Sequence, residues 1–174
     1  LRPFRIMILY AILGVLLLGS LIIFLTHSYR PNIARSWVIA MVTGIVAWVA
    51  SFVLRLYLPS EVSLLTWFPG TIFEEGVAFV VDYINWPYMV AVISMCVAAL
   101  LTDTTRTDPG ITPYSWVQII SITGLNLLAI LSANPLTMAI AWMVTDLVEL
   151  ITLSRLSRAA EMGSKIVSLF GIRI

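Results

Sequence analysis

Charge is what this chain most lacks. Of its 174 residues only 11% are charged, against 60% hydrophobic, whereas ordinary soluble domains carry about 25% charged and about half apolar residues. With a mean hydropathy of +1.02, the sequence reads as an integral membrane protein. The formal net charge is +1, so there is no basic face for a nucleic-acid partner. A single cysteine, Cys96, lies in an apolar segment and can form neither an internal disulfide nor a cysteine-rich metal site. There is one histidine, His27, and one lysine, Lys165. The sequence contains no Ser-His-Asp arrangement, phosphate loop or His pair of the kinds that mark catalysis or metal binding. We therefore expect no enzyme activity, no cofactor and no metal.

What the chain has in abundance is long apolar runs. About 20 mostly apolar residues cross the hydrocarbon core as a helix, and five segments fit, at about 6–26, 36–58, 87–102, 114–133 and 135–153. The first run exceeds the roughly 7–15 residues of a signal-peptide core, so it reads as a retained span. Arg55 falls near the end of the second, where its side chain can snorkel. Pro87 and Pro135 open the third and fifth, a position proline suits. The closing "KIVSLFGIRI" reads as the start of a sixth span, and we expect the chain to be a piece of a longer protein. The expected fold is thus an all-α membrane bundle, one domain over residues 1–174.

The longest connection, residues 59–84, carries Glu61, Glu74, Glu75 and Asp82, with a turn at Pro69-Gly70. Within it, "VAFVVDYI" fits a short strand or an interfacial segment, and periodicity does not decide between them. Trp67, Trp86 and Tyr88 suit an aromatic belt. Counting Lys and Arg near span ends orients the bundle. Arg30, Arg35, Arg106, Arg155, Arg158 and Lys165 fall on one side, and Arg2, Arg5 and Arg55 on the other with the acidic loop. The richer side is expected to be cytoplasmic, which puts the N-terminus outside and Glu74 and Arg106 on opposite faces.

The stretch "AWMVTDLVELITLSR" places Asp146 and Glu149 inside the fifth apolar run. A spacing of three puts both near one face of a helix. An Asp at the centre of a span costs about 2.5–3.5 kcal/mol on insertion scales. Intramembrane carboxylates usually face a bundle interior or a wet cavity and mark ion or proton paths. Asp146 and Glu149 are accordingly the leading candidates for a proton or ion path, with Asp146 expected to face protein or enclosed water. The competing explanation is structural: pairing with Arg155, Arg158 or a partner chain. Asp82, which abuts a span, and Lys165 are secondary candidates, as is Asn126, whose amide is expected to bond between helices. Glu74 and Glu75 read as solvated loop residues, and His27 as an interfacial polar residue.

The run "LNLLAILSANPLTMAIAWMVTDLVEL" resembles the fourth-to-fifth span region of the antiporter-like subunits of respiratory complex I, Mrp-type sodium/proton antiporters and related membrane hydrogenases. Asn134, Leu136, Thr137 and Trp142 fall in register with that family. In "FVVDYINWPYMVAVISMCVAALL", Asp82 takes the place of an Asp that precedes the third span. The tail "SRAAEMGSKIVSLFGIRI" is similar to the connection between the fifth and sixth spans. The resemblance covers residues 64–174, and the first two spans only by hydropathy. It implies a proton- or cation-translocating subunit, N-terminus outside, working with other membrane subunits in the bilayer. Met143 stands where the family has a glutamate directly after its tryptophan, and Asp146 follows one turn later. The family's path also uses a lysine and broken helices from later spans. A second expectation is therefore an accessory membrane subunit that has lost the pump. A third, a lipid- or quinone-acting membrane enzyme, lacks the clustered polar groups such chemistry uses.

Overall fold

A computed structural model describes residues 2–29, 32–65, 76–103 and 113–156. Five helices and one hairpin follow in the order α1 (Arg2–Tyr29), α2 (Ile33–Arg55), β1 (Ser60–Leu65), β2 (Val77–Val81), α3 (Trp86–Asp103), α4 (Pro113–Ile130) and α5 (Pro135–Leu156). Three of them are long and apolar enough to cross a membrane: Met7–Tyr29, Ile33–Arg55 and Trp86–Asp103. The apolar helix Tyr114–Ile130 is shorter. At 1.5 Å per residue, the 18 residues of α4 reach about 27 Å, just under a core of about 30 Å. Five long apolar spans were expected, so the described helices meet that expectation only in part. The protein is predominantly helical and has the apolar helices of a membrane protein.

The reason for membrane residence is visible in cross-section. The buried positions of α3, Trp86, Met89, Ile93, Cys96 and Leu100, recur at intervals of three and four, which is one face of a helix. Those of α2, from Ser36 through Ala40, Thr43, Ala47 and Ser51 to Leu54, do the same. A soluble bundle would be polar on the opposite faces. Here those faces carry Leu18, Leu21, Ile22 and Leu25 on α1, and Val38, Val42, Ile45, Val49 and Phe52 on α2, all exposed. A helix apolar all round belongs in a large core or in lipid. Hydroxyls in the runs do not break the pattern, because they bond back into their own helices. Ser20 donates to Leu17 O at 2.8 Å, Thr26 to Ile22 O at 2.7 Å and Thr123 to Ile119 O at 2.7 Å.

Helix α1 sits between α2 and α4, α3 packs against α2 and α4, and α5 lies at the margin against α4. Glycines allow the closest approaches. Gly19 of α1 faces Thr43 of α2, Gly44 faces Leu100 and Val97 of α3, and Gly124 of α4 faces Leu16 and Leu17 of α1.

The hairpin caps one end of this bundle. β1 and β2 pair antiparallel, Ser60 opposite Val81 and Glu61 opposite Val80, which resolves "VAFVV" as a strand. The other edge of β2 is paired as well: Val80 N donates to Leu131 O at 2.8 Å, and Ala133 N to Ala78 O at 2.9 Å. This pairing ends α4 at Ile130, where hydropathy alone carried the fourth span to about 133. Since helices alternate in direction, α2 ends, α3 and α5 begin, and α4 ends at this face. β1 contacts α1 there too. Glu61 is thus at the opposite end of the bundle from Tyr29. Glu74 and Arg106 lie outside the described residues.

Candidate functional site

Helix α5 is built from a polar knot at its start. Asn134 is its N-cap: Oδ1 accepts from Thr137 N at 2.8 Å and from Thr137 Oγ1 at 2.7 Å. Its Nδ2 donates to Gly76 O at 2.8 Å, and Thr137 Oγ1 in turn accepts from Ala78 N at 3.1 Å. Asn134 and Thr137 are buried, at 8% and 1% exposure. Asn134 and Thr137 thus tie hairpin to helix. Pro135 follows in the first turn, where its missing N–H costs nothing.

From that knot the inward line of α5 runs Thr137, Ala141 and Thr145. The first two are buried and Thr145 is half-buried, donating to Ala141 O at 2.8 Å. The outward side carries Trp142, Met143 and Leu147, at 56%, 72% and 55% exposure, and Asp146 among them. Asp146 is eleven residues from Pro135, about 17 Å along the axis, near the middle of α5. Its carboxylate makes no hydrogen bond or ion pair among the described residues. Glu149 is half-buried, turned about 60° from Asp146, as a spacing of three requires. The structure thus places the two leading candidates near each other but not in one enclosed site. Asp146 looks outward, and whatever meets it comes from beyond the described residues.

The secondary candidates separate. Asp82 is a structural cap. Its Oδ1 accepts from Ile84 N at 2.9 Å and from Asn85 N at 2.8 Å, while Asn85 Oδ1 accepts from Asp82 N at 2.8 Å. This reciprocal arrangement is a capping box with Asn in the returning place, and it steers β2 into α3. Asn126 departs from expectation: it is half-buried in α4 and its amide makes no hydrogen bond among the described residues. The interhelical bond expected of it is not found among the described residues. Lys165, Glu74, Glu75 and Arg158 lie outside the described residues, as do the side chain of Arg155 and the start of any sixth span. His27 packs edge-on against Tyr114, centroids 5.3 Å apart. Among the described residues no group of three or more His, Cys, Asp or Glu could hold a metal ion.

One arrangement was missed in the sequence. Arg55, the last residue of α2, lies over the ring of Trp86 at the start of α3, with Cζ 4.5 Å from the centroid. The only sequence signal was an arginine and a tryptophan each at the end of an apolar run. No protein-family model matches the chain, and no curated protein matches it in sequence.

Proposed function

We propose that this chain is a membrane subunit working inside a larger assembly, where Asp146 and Glu149 serve a proton or cation path in the manner of the N-terminal part of antiporter-like subunits. The observation that carries the reading is Asp146, which stands exposed, mid-helix, on an otherwise apolar face of α5. Against lipid alone such a carboxylate is costly, and intramembrane carboxylates are met by protein or enclosed water. The partners in this reading are other membrane subunits. All five helices cross the bilayer, the hairpin end lies outside with the N-terminus, and the Arg155 end is cytoplasmic. The chain is not itself an enzyme; chemistry elsewhere in the assembly biases the protonation of the pair.

A second reading is an accessory subunit whose carboxylates only fasten it to its neighbours. Met143 in the place of the family's glutamate favours it. One experiment separates the two. Asp146→Asn with Glu149→Gln preserves shape and removes both charges. In the parent assembly, reconstituted into vesicles, it is expected to lower proton or sodium movement roughly tenfold or more while the assembly stays intact. Glu61→Gln, at the hairpin, is expected to change nothing. Wild-type transport by an assembled double variant refutes the path. Failure to assemble makes the carboxylates structural pairing partners.

A further inference from the structure

The hairpin end of α2 combines three features that the path on α5 does not use. Trp48, Val49, Phe52, Val53 and Leu56 form an open depression of about 470 Å³ on the outer face of the helix. From Trp48 to Leu56 it extends about 12 Å along the axis, most of the depth of one leaflet's hydrocarbon, which is about 15 Å. An aromatic row leads away from its lining: Trp48 meets Phe52 edge-on at 4.8 Å, and Phe52 meets Trp86 edge-on at 6.1 Å. The row is fixed by hydrogen bonds from outside it, Trp48 Nε1 to Ser94 Oγ at 2.9 Å and Trp86 Nε1 to Ser51 O at 2.8 Å. At the top of the depression stands Arg55, exposed, laid over Trp86.

Arg55 makes no ion pair among the described residues. The neighbouring acid, Asp82, has its Oδ1 committed to the backbone of Ile84 and Asn85. A guanidinium over an indole is desolvated on that side and keeps N–H donors for a further partner. That planar fork matches a phosphate bidentately. Its position at the end of a span, beside exposed Tyr83 and Tyr88, is the depth at which headgroups lie.

We propose that this is a binding site for an anionic phospholipid: Arg55 holds the phosphodiester, and the depression from Trp48 to Leu56 receives the upper part of an acyl chain. Arg55, a cation with no ion pair among the described residues, favours a lipid whose headgroup carries a net negative charge. Binding is separate from the α5 reading and stands or falls without it.

Quenching of tryptophan fluorescence by brominated lipids tests the proposal. The full chain is reconstituted in phosphatidylcholine vesicles, and brominated phosphatidylglycerol or brominated phosphatidylcholine is titrated in. Wild type is expected to favour phosphatidylglycerol about fivefold, the preference one basic residue gives near an anionic surface. Arg55→Gln is expected to abolish the preference and Arg55→Lys to retain part of it, while Arg35→Gln, at the other end of α2, leaves it unchanged. Val49→Phe, which adds bulk at an exposed position of the depression and adds no fluorophore excited with the tryptophans, is expected to weaken quenching by both lipids even if the Arg55 variants fold poorly. Inorganic phosphate at millimolar concentration is not expected to compete, since it offers no chain to the depression. Equal affinity for the two lipids in wild type, a preference that survives Arg55→Gln, quenching unaltered by Val49→Phe, or displacement by inorganic phosphate overturns the proposal.

Discussion

The crossing of α1 and α2 at Gly19 makes a sharp test of the packing. A Cβ added there would lie 2.6 Å from Thr43 Oγ1 and 3.1 Å from Thr43 Cβ, inside ordinary van der Waals contact. Thr43 is buried and β-branched, and stiff at χ1, so rotating it moves one γ atom out of the way only to bring in another. Gly14, on the same helix, would meet nothing within 4 Å. Gly→Ala gains about 0.8–1 kcal/mol of helix propensity at either site, so the difference between the two variants isolates the clash. Overpacking costs about 1–3 kcal/mol. For a chain of this size 1 kcal/mol moves the midpoint by about 2–4 °C, which places Gly19→Ala about 2–12 °C below Gly14→Ala. The assay is helical circular dichroism in detergent, with all variants heated at one scan rate. Adding Thr43→Ala removes Oγ1 and Cγ2, leaving only the 3.1 Å contact, and is expected to recover most of the loss as a coupling energy between the two sites. Indistinguishable midpoints for Gly14→Ala and Gly19→Ala would refute the close crossing.

Two further outcomes follow from the hairpin end. Asn134→Ala removes the cap of α5 and leaves Gly76 O without its donor, which is expected to cost about 1–3 kcal/mol and to lower the same midpoint by several degrees; a midpoint within error of wild type would mean the knot bears no load. Cysteines introduced singly at Glu61 and Tyr29, both exposed and at opposite ends of the bundle, are expected to react with a membrane-impermeant maleimide from opposite faces of a vesicle, and labelling from one face would overturn the up-and-down order of α1 and α2.

The helices were legible because each apolar run is long, and burial at intervals of three and four on α2 and α3 follows the sequence closely. The ends were less so. Hydropathy carried the fourth span through Leu131 and Ala133, since it cannot see that their backbones pair with Val80 and Ala78. The same long-range pairing decides "VAFVV" as a strand, which its five residues could not do alone. Asp82 drew notice as a carboxylate beside a span, yet the local signature "DYIN" ahead of Trp86-Pro87 already contained a reciprocal cap. Asn134 and Thr137 were noticed for their register with a family, and their structural role became plain only through Gly76 and Ala78. The Arg55–Trp86 stack joins the end of one helix to the start of another across the hairpin, and no local pattern announces it.

Polar groups in an apolar chain are informative in proportion to how poorly the chain itself explains them. Ser20, Thr26 and Thr123 return their hydroxyls to their own helices. Asp82 and Asn134 close the ends of helices. Each of these stabilises the fold in which it is found, so none calls for anything outside it. Asp146 is different. It takes no part in a cap, a turn or an ion pair among the described residues, and Trp142, Met143 and Leu147 around it are exposed as well. A leucine in its place would suit a lipid-facing helix better by the whole insertion cost of the carboxylate, about 2.5–3.5 kcal/mol. The packing of the described residues therefore gives no reason for an acid at that position, which is why the proposed path is placed there. In the proposed reading, a partner that covers it brings a cation, a hydrogen-bond donor or water to the carboxylate. A purely apolar helix packed on this face would bury the carboxyl without a partner, which is costly unless it takes up a proton, and in the proposed reading that is the neighbour least suited to α5.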